Sequence, residues 1–302
     1  MPPKPHPKSP RQLPMFAPVE TLDRFSALAP RYDVLLCDVW GVVHNGIVAH
    51  AEACEALARF RAGGGTVILI SNVPRPSHWL INQLDSFGVA REAYDGVMTS
   101  GDVTRDVMAG RGAGAVLHIG PPRDLSIFEG LDVRFAPMEG ADYAVCTGLF
   151  DDTVETPEHY RGLLAKMRQR DMFMLCANPD LVVERGSALV YCAGAIADLY
   201  VAMGGEALYA GKPHRPIYDL ALAKAAAARG AAAPATRTLA IGDSLRTDIA
   251  GARALGIDAL LVSGGIHAGE LGTRDIPSAA ALAAVCGAAG VTPTAVTPRL
   301  VW

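Results

Sequence analysis

The fold is decided by residues 35–44, Leu-Leu-Cys-Asp-Val-Trp-Gly-Val-Val-His. The run up to Asp38 is short and apolar, which is typical of a strand that is buried on both faces. Asp38 ends this run, and Gly41 follows to turn the chain. Open α/β sheets bind their ligands at the carboxyl ends of parallel strands, so Asp38 is a candidate functional residue. The alternative is that Asp38 only caps the next element.

Strand-like and helix-like segments alternate on both sides of this stretch. Apolar runs predict further strands at residues 66–70, 97–101, 238–241 and 259–262. Helical spacing predicts helices at residues 20–30, 51–61, 77–87 and 216–229. This alternation predicts an α/β fold with a doubly wound parallel sheet and right-handed crossovers.

The length of 302 residues favours two domains, because single compact cores rarely grow this large. A glycine-rich break at residues 110–114 separates the first strands from a second strand–helix series. We expect an α/β core domain formed by residues 20–111 and 205–302. An α/β cap domain is expected as an insert at residues 112–204, and a flexible tail at residues 1–19.

The overall composition excludes several classes of function. The formal net charge is -4, so no global basic field attracts nucleic acid. No apolar run reaches the roughly 18 residues that a membrane span needs. The N-terminal residues lack the apolar core of a secretory signal, and the six cysteines form no C-x-x-C pair. These features predict a cytoplasmic protein with reduced thiols and no membrane partner.

Residues that suit phosphoryl transfer follow four of the predicted strands. They are Asp38, Ser71 with Asn72, Lys212, and the pair Asp243 and Asp248. A carboxylate can attack phosphorus, and carboxylates at separate strand ends can hold Mg²⁺. A lysine and a metal ion offset the charge that develops on the phosphoryl group. A serine hydroxyl and backbone N–H groups can hold phosphate oxygens.

Each of these sites also has a simpler explanation when it is taken alone. Ser71 and Asn72 could cap a helix, and Lys212 could be a solvated loop lysine. Asp243 could belong to a turn, and Asp248 could be a favourable charge at a helix N-terminus. Their joint occurrence, each at a strand end, favours the functional interpretation.

The chain resembles the haloacid dehalogenase (HAD) superfamily over residues 33–265, and in particular its class IIA, the NagD-like and pyridoxal-phosphate-phosphatase-like hydrolases. The four matching motifs are Asp38-Val39-Trp40-Gly41-Val42, Ser71-Asn72, Lys212-Pro213 and Gly242-Asp243-Ser244 with Thr247-Asp248. The insert between the second and third motifs matches the cap of that class in position and size. Within it, Asn178-Pro179-Asp180 resembles a cap segment that helps line the substrate pocket.

The resemblance implies a Mg²⁺-dependent phosphatase that acts on a small phosphorylated metabolite. Asp38 would be the nucleophile and a metal ligand, and the backbone carbonyl of Trp40 and the Asp243 carboxylate would be the other protein ligands. Asp248 would support the metal or orient Lys212. A homodimer formed through the cap is a further expectation that rests on the resemblance alone.

The resemblance also implies which residues contact the substrate. Those expected to do so are Ser71, Asn72 and Lys212 at the phosphoryl group, and Asn178 and Asp180 in the cap. Glu184 and Arg185 are further cap residues that could meet a polar head group.

Trp40 departs from the family pattern. Phosphatases of this family carry an aspartate two residues after the nucleophile, and that residue protonates the leaving group and later activates water. The indole N–H of Trp40 cannot exchange a proton at neutral pH. Losing a general acid–base typically costs about 10²–10⁴ in rate. A large indole beside the phosphorus would also shield an aspartyl-phosphate from water.

Three interpretations follow from this substitution. The first is a phosphatase that is slow or specialised for good leaving groups such as acyl or enol phosphates, with His44 either replacing the acid or lying on the surface of a loop. The second is a dehalogenase, because those enzymes carry an aromatic residue here; however, they need no Mg²⁺, and Asp243 and Asp248 keep an acidic metal site. The third is a module that binds a phosphorylated ligand without turnover.

Overall fold

The computed structural model describes residues 19–185 and 188–302, without the side chain of Glu184. The tail expected at residues 1–19 therefore lies outside the described residues, except for Val19. The role expected of the Glu184 side chain lies outside them as well.

The strands are β1 (Glu20–Thr21), β2 (Val34–Asp38), β3 (Thr66–Ser71), β4 (Gly96–Thr99), β5 (Gly114–Ile119), β6 (Val133–Phe135), β7 (Tyr143–Cys146), β8 (Met174–Cys176), β9 (Val182–Arg185), β10 (Ala188–Tyr191), β11 (Ala207–Tyr209), β12 (Thr238–Gly242), β13 (Asp258–Val262) and β14 (Ala295–Thr297). The helices are α1 (Ala51–Ala62), α2 (Ser77–Ser86), α3 (Ser100–Arg111), α4 (Arg161–Gln169), α5 (Ala193–Ala202), α6 (Arg215–Arg229), α7 (Ala250–Leu255), α8 (Ala268–Leu271) and α9 (Ala279–Ala289).

The larger sheet is parallel and has the strand order β1-β14-β13-β12-β2-β3-β4. The run that contains Asp38 is its central strand, β2, which lies between β12 and β3. Asp38 pairs with Ile70, and Cys37 pairs with Ile241. This register brings the ends of β2, β3 and β12 to one edge of the sheet. The expected α/β fold with a doubly wound parallel sheet is confirmed.

Burial of β2 on both faces explains why it is apolar throughout. Leu35 and Cys37 pack into one apolar cluster with Leu57 of α1, whereas Leu36 packs into another with Ile217 of α6. Burying one such leucine stabilises the fold by about 1.5–3 kcal/mol. The strand is thus fixed from two sides, and Asp38 at its end is fixed with it.

The smaller sheet is also parallel, with the order β11-β8-β7-β5-β6, and an antiparallel hairpin of β9 and β10 accompanies it. We call residues 114–209 the cap unit. It extends past the boundary expected near residue 204, because the strand Ala207–Tyr209 pairs with Met174–Cys176. Three residues are too few to show a strand pattern in sequence. Val145 of β7 shares an apolar cluster with Leu36 of the larger sheet, so the two sheets pack around a common interior.

The helix expected at residues 20–30 is wrong. Glu20 and Thr21 form a parallel pair with Ala295 and Val296, which are distant in sequence, and two 3₁₀ turns follow at residues 25–27 and 29–31. Pro30 is unfavourable inside an α-helix, because its ring removes a donor and clashes with the preceding turn. The strand expected at residues 97–101 ends at Thr99, whose side chain accepts a hydrogen bond from the backbone N–H of Asp102 and caps α3.

Within residues 19–185 and 188–302, none of the helices is both long enough and apolar enough to cross a membrane. All six cysteines are unpaired, and five of them are buried.

Contact between α6 and α7 depends on the absence of a side chain at Gly251. A Cβ at this position would lie 2.0 Å from Oη of the buried Tyr218. We therefore predict that Gly251→Ala lowers the free energy of unfolding by about 1–3 kcal/mol, as overpacking typically does. Thermal unfolding followed by circular dichroism measures the change.

Gly287→Ala on α9 is the matched control, because among the described residues nothing beyond its chain neighbours and the backbone of its own helix lies within 4 Å of the Cβ it would add. Alanine is favoured over glycine in a helix by about 1 kcal/mol, so this variant should be as stable as the wild type or more stable. Equal melting temperatures for the two variants would contradict the packing described for α6 and α7.

Candidate active site

Three buried carboxylates meet at the carboxyl edge of the larger sheet. Asp38 ends β2, Asp243 follows β12, and Asp248 lies in a π-helical turn at residues 245–249. One oxygen from each of the three lies within 4.8 Å of the other two. The fold thus brings Asp38 next to Asp243 and Asp248, which lie far from it in sequence.

Lys212 lies between two of these carboxylates. Its Nζ donates hydrogen bonds to Oδ1 of Asp38 at 2.5 Å and to Oδ1 of Asp248 at 2.7 Å. Only 4% of its side chain is exposed. Burial lowers the pKa of Lys212, but Asp248 and Asp38 raise it more, so the net pKa lies well above its usual value. Lys212 is therefore a buried ammonium group and not a solvated loop lysine.

The cluster carries more negative than positive charge. Burial has the largest effect on the two carboxyl groups, and repulsion from Asp248 has the next largest. Together they raise the pKa of Asp38 well above its usual value and the pKa of Asp243 to about 7. Asp243 accepts a backbone hydrogen bond from Ile266 at 2.9 Å, and no cationic side chain in the described part of the chain bonds to it. Three carboxylates with a single ammonium group among them suit a hard divalent cation such as Mg²⁺, which prefers oxygen ligands.

Glycines allow the backbone to approach these carboxylates. A Cβ at Gly41 would lie 2.1 Å from Oδ2 of Asp243, and a Cβ at Gly265 would lie 2.2 Å from the same atom. The peptide that joins Trp40 to Gly41 is therefore close to Asp243. This is the region in which the carbonyl of Trp40 was expected to serve as a metal ligand.

Both oxygens of Asp248 are engaged. Oδ1 accepts from Lys212, and Oδ2 accepts from the backbone N–H of Ser244 at 3.2 Å. Local π-helical turns are frequent at functional sites, because the extra residue redirects a side chain. Asp248 thus fixes the position of Lys212 and is not merely a charge at a helix terminus.

Ser71 and Asn72 lie at the end of β3 and do not cap the following helix. That helix, α2, begins at Ser77 after Pro76, which makes no side-chain cap. The hydroxyl oxygen of Ser71 accepts the backbone N–H of Val73 at 3.2 Å.

Asn72 connects the core to the cap unit. Its Oδ1 accepts the backbone N–H of Lys212 at 2.7 Å, and its Nδ2 donates to the carbonyl of Lys212 at 3.1 Å and to Oδ1 of Asp180 at 2.9 Å. Asn72 therefore positions Lys212 and Asp180, whereas the sequence suggested only a contact with the phosphoryl group.

The cap residues expected at the pocket lie in the loop after β8. Oδ1 of Asn178 accepts the backbone N–H of Asp180 at 3.0 Å, which closes a local turn. Asn178 is buried, and Asp180 stays partly exposed. Arg185 donates to both oxygens of Asp152, at 2.9 and 2.6 Å.

The surface position expected for His44 is wrong. It is a buried residue and not a surface one, with its ring centroid 5.3 Å from that of Trp40 and 5.0 Å from that of Phe87. Nδ1 of His44 accepts the backbone N–H of Gly46, and burial lowers the pKa of His44 to about 4. A neutral imidazole is a very poor acid at pH 7, which argues against His44 as the replacement for the missing aspartate.

The indole of Trp40 packs on the same loop. A Cβ at Gly46 would lie 2.5 Å from Cη2 of Trp40, so a glycine is required where the indole crosses the chain. The loop of residues 41–50 is in this way held against the end of β2.

Several core–cap contacts had no signal in the sequence. Arg75 pairs with the buried Asp124 at 2.9 Å, and Arg246 pairs with Asp198 at 2.9 Å. Oγ of Ser100 donates to the carbonyl of Ala177 at 2.6 Å. Pairs this distant in sequence follow no spacing rule, so no local pattern could have found them.

Comparison with known proteins agrees with this geometry. A family model described as haloacid dehalogenase-like hydrolase matches residues 35–134, and a second model for HAD-like hydrolases matches residues 209–287. The chain is 28% identical to a glycerol-3-phosphate phosphatase of Gallus gallus over 263 residues, covering 80% of this chain and 82% of that protein. It is 26% identical to a 5'-nucleotidase of Bacillus subtilis (strain 168), covering 81% and 92%.

Among solved structures, a hydrolase of the haloacid dehalogenase-like family from Brucella suis 1330 is 46% identical, with a TM-score of 0.83. The alignment covers 93% of this chain and 100% of that one. Sequence, fold and site together show that the chain belongs to the haloacid dehalogenase-like family of hydrolases.

Proposed function

We propose that the protein is a Mg²⁺-dependent phosphatase that hydrolyses a small phosphorylated metabolite through an aspartyl-phosphate on Asp38. The observation that carries this proposal is the ammonium of Lys212, which bonds Asp38 at 2.5 Å inside a cluster of three carboxylates. The names of the two curated relatives, a glycerol-3-phosphate phosphatase and a 5'-nucleotidase, support a phosphate monoester as the substrate class.

Asp38 is the nucleophile in this proposal. One carboxylate oxygen attacks phosphorus, the bond to the leaving group breaks, and the phosphoryl group is carried as an acyl phosphate until water releases it. Strand β2 is packed on both faces, so the carboxylate is held in one place without a large entropic cost at the moment of attack.

Lys212 and Ser71 act on the phosphoryl oxygens. The ammonium of Lys212 is already desolvated, and in a site of low dielectric it offsets developing negative charge more strongly than it would in water. Asp248 keeps this ammonium aimed at Asp38 before and after transfer.

The donor set fits a divalent cation held by Asp38, Asp243 and the carbonyl of Trp40, with Asp248 beside them. When bound, the cation would offset the negative charge of the phosphoryl group and of the carboxylates. The same carboxylates argue against a dehalogenase, which needs no such cluster.

The cap unit excludes water and sets the substrate size. The Asn72–Asp180 hydrogen bond and the Arg75–Asp124 pair hold the loops of the cap unit over the carboxyl edge of the larger sheet. Closure of this kind favours a small substrate that fits beneath the loops. Because Trp40 supplies no proton, we propose that turnover is slow and depends strongly on the leaving group.

Asp38→Asn tests the nucleophile. It should lower the hydrolysis of p-nitrophenyl phosphate and of acetyl phosphate by at least about 10³-fold, as removal of an enzyme's nucleophile does. The matched control is Asp171→Asn, whose side chain is 86% exposed, and it should retain wild-type rates. Undiminished hydrolysis by Asp38→Asn would rule out the aspartyl-phosphate. A wild type that binds phosphate but hydrolyses neither compound would favour the binding module.

Asp243→Asn tests the metal site. EDTA should abolish activity and Mg²⁺ should restore it. The substitution should raise the dissociation constant for Mg²⁺ by about 10-fold or more. Even residues that only hydrogen-bond to a metal ligand typically change metal affinity by about 10–100-fold when they are mutated. Isothermal titration calorimetry with Mg²⁺ alone measures this independently of activity. Unchanged affinity in the variant would remove Asp243 from the ligand set.

Trp40→Asp and Trp40→Asn together test the effect of the missing acid. The two variants lose the same indole packing against Gly46, so any difference between them reports the carboxyl group. We predict that Trp40→Asp exceeds Trp40→Asn in kcat/KM for glycerol 3-phosphate by about 10²-fold or more. For p-nitrophenyl phosphate, which has a good leaving group, the difference should be small. If the two variants had the same kcat/KM as each other on both substrates, the lack of a proton donor at position 40 would not limit the enzyme.

A further inference from the structure

The proposed phosphatase still needs a proton for its leaving group. Trp40 has none to give at neutral pH, and His44 is buried and neutral. We propose that Asp180, from the cap unit, replaces the missing aspartate in part and acts as a general acid and base that is weaker than an acid at position 40 would be, so that turnover remains slow. This proposal rests on the proposed function, because it assigns a role within the same reaction.

Hydrogen bonds connect Asp180 to the reacting groups. Its Oδ1 accepts from Nδ2 of Asn72 at 2.9 Å, and the same amide group bonds the backbone of Lys212 on both sides. The ammonium of Lys212 in turn bonds Asp38. Asp180 is thus connected to Lys212 through a single bridging side chain, that of Asn72. It belongs to the cap unit, whereas the nucleophile Asp38 belongs to the core. In an in-line displacement the leaving group lies opposite the attacking oxygen, and we place it on the cap side.

The loop that carries Asp180 is held firmly. A Cβ at Gly194 would lie 2.3 Å from the carbonyl oxygen of Pro179, and a Cβ at Gly211 would lie 2.9 Å from Cδ of the same Pro179. The start of α5 and the exit of β11 therefore press closely on this loop. Positioning of this kind is what a general acid requires, because it must reach the leaving oxygen within hydrogen-bond distance.

Asp180 is also accessible enough to act. Its side chain is partly exposed, unlike the buried Asp38, Asp243 and Asp248. Its second carboxylate oxygen, Oδ2, takes part in no hydrogen bond within the described residues, so a proton held there can be given to a substrate.

The charged groups around Asp180 act in opposite directions. Lys212 and Arg246 lower the pKa of Asp180, Asp248 raises it, and the thiol of Cys192 lies nearby at the start of α5. Burial is the largest influence, and the net effect raises the pKa of Asp180 above its ordinary value. A larger fraction of Asp180 is therefore protonated near neutral pH than for an exposed aspartate.

The proposed steps balance as follows. Asp38 attacks phosphorus, the bond to the leaving oxygen breaks with its electron pair, and that oxygen takes the proton of Asp180. In the second step a water oxygen attacks the aspartyl-phosphate while the Asp180 carboxylate accepts a proton from that water. The bond between phosphorus and Asp38 breaks, phosphate leaves, and both aspartates return to their starting forms.

Asp180→Asn is the test, because asparagine keeps an oxygen that can accept from Asn72 but cannot donate an acidic proton. We expect kcat/KM for glycerol 3-phosphate to fall by about 10²–10³-fold. For p-nitrophenyl phosphate it should fall by less than about 10-fold, since kcat/KM reports the first phosphoryl transfer and that leaving group needs no proton. Water attack on the aspartyl-phosphate should slow, so a burst of p-nitrophenol should appear in stopped-flow traces.

Adding Trp40→Asp to Asp180→Asn should restore a large part of the rate on glycerol 3-phosphate, because the acid returns to the core. Asp198→Asn is the matched control, because Asp198 is another carboxylate of the cap unit that contacts the core, through Arg246. Its loss should leave unchanged the ratio of kcat/KM for glycerol 3-phosphate to kcat/KM for p-nitrophenyl phosphate.

Equal losses on both substrates, or no loss, would overturn the role of Asp180 while leaving Asp38 as the nucleophile. Hydrolysis of neither substrate by the wild type would overturn the proposed function, and this role with it.

Discussion

The structure depends on the two hydrogen bonds that the Lys212 ammonium makes to Asp38 and Asp248. They join the central strand of the larger sheet, the exit from the cap unit and the π-helical turn after β12. All three side chains are buried, and removing one partner of such a buried arrangement typically costs about 3–5 kcal/mol. The same contacts therefore hold the fold together and set the charge of the site, so a change that affects catalysis here also affects stability.

The ammonium does not neutralise the site. Asp243 remains without a cationic partner among the described residues, and burial with repulsion from Asp248 raises its pKa to about 7. A carboxylate so placed is costly unless a cation joins it or a proton binds it. Glycines at positions 41 and 265 let the backbone close around Asp243, which leaves little room for a further protein side chain. The excess charge therefore argues for a small divalent cation rather than for a second lysine or arginine.

The parts of this fold that are visible in sequence are those in which a local pattern reports burial. The apolar run of β2 predicts a central strand, and its terminal aspartate predicts the site, because parallel strands end at a common edge. The strand Ala207–Tyr209 and the pairing of Glu20–Thr21 with β14 were missed, because such short segments are specified by distant partners. His44 was misjudged for the same reason: its burial depends on Phe87, more than 40 residues away. The bridging role of Asn72 likewise depends on Asp180 and Lys212, which no spacing rule connects to it.

A general acid in the cap has a consequence for how the reaction is controlled. An acid at position 40, just after β2, would be present whether the cap is open or closed, whereas in our proposal Asp180 acts when its loop is seated on Asn72. Seating of the loop brings the acid and excludes bulk water in one event, so that proton transfer is confined to the closed state. Position 40 is then free of its role in proton transfer, and an indole there can pack against Gly46 and hold the loop of residues 41–50. In this arrangement the acid in the cap offsets part of the rate that is lost at Trp40, and the indole stabilises the loop in exchange.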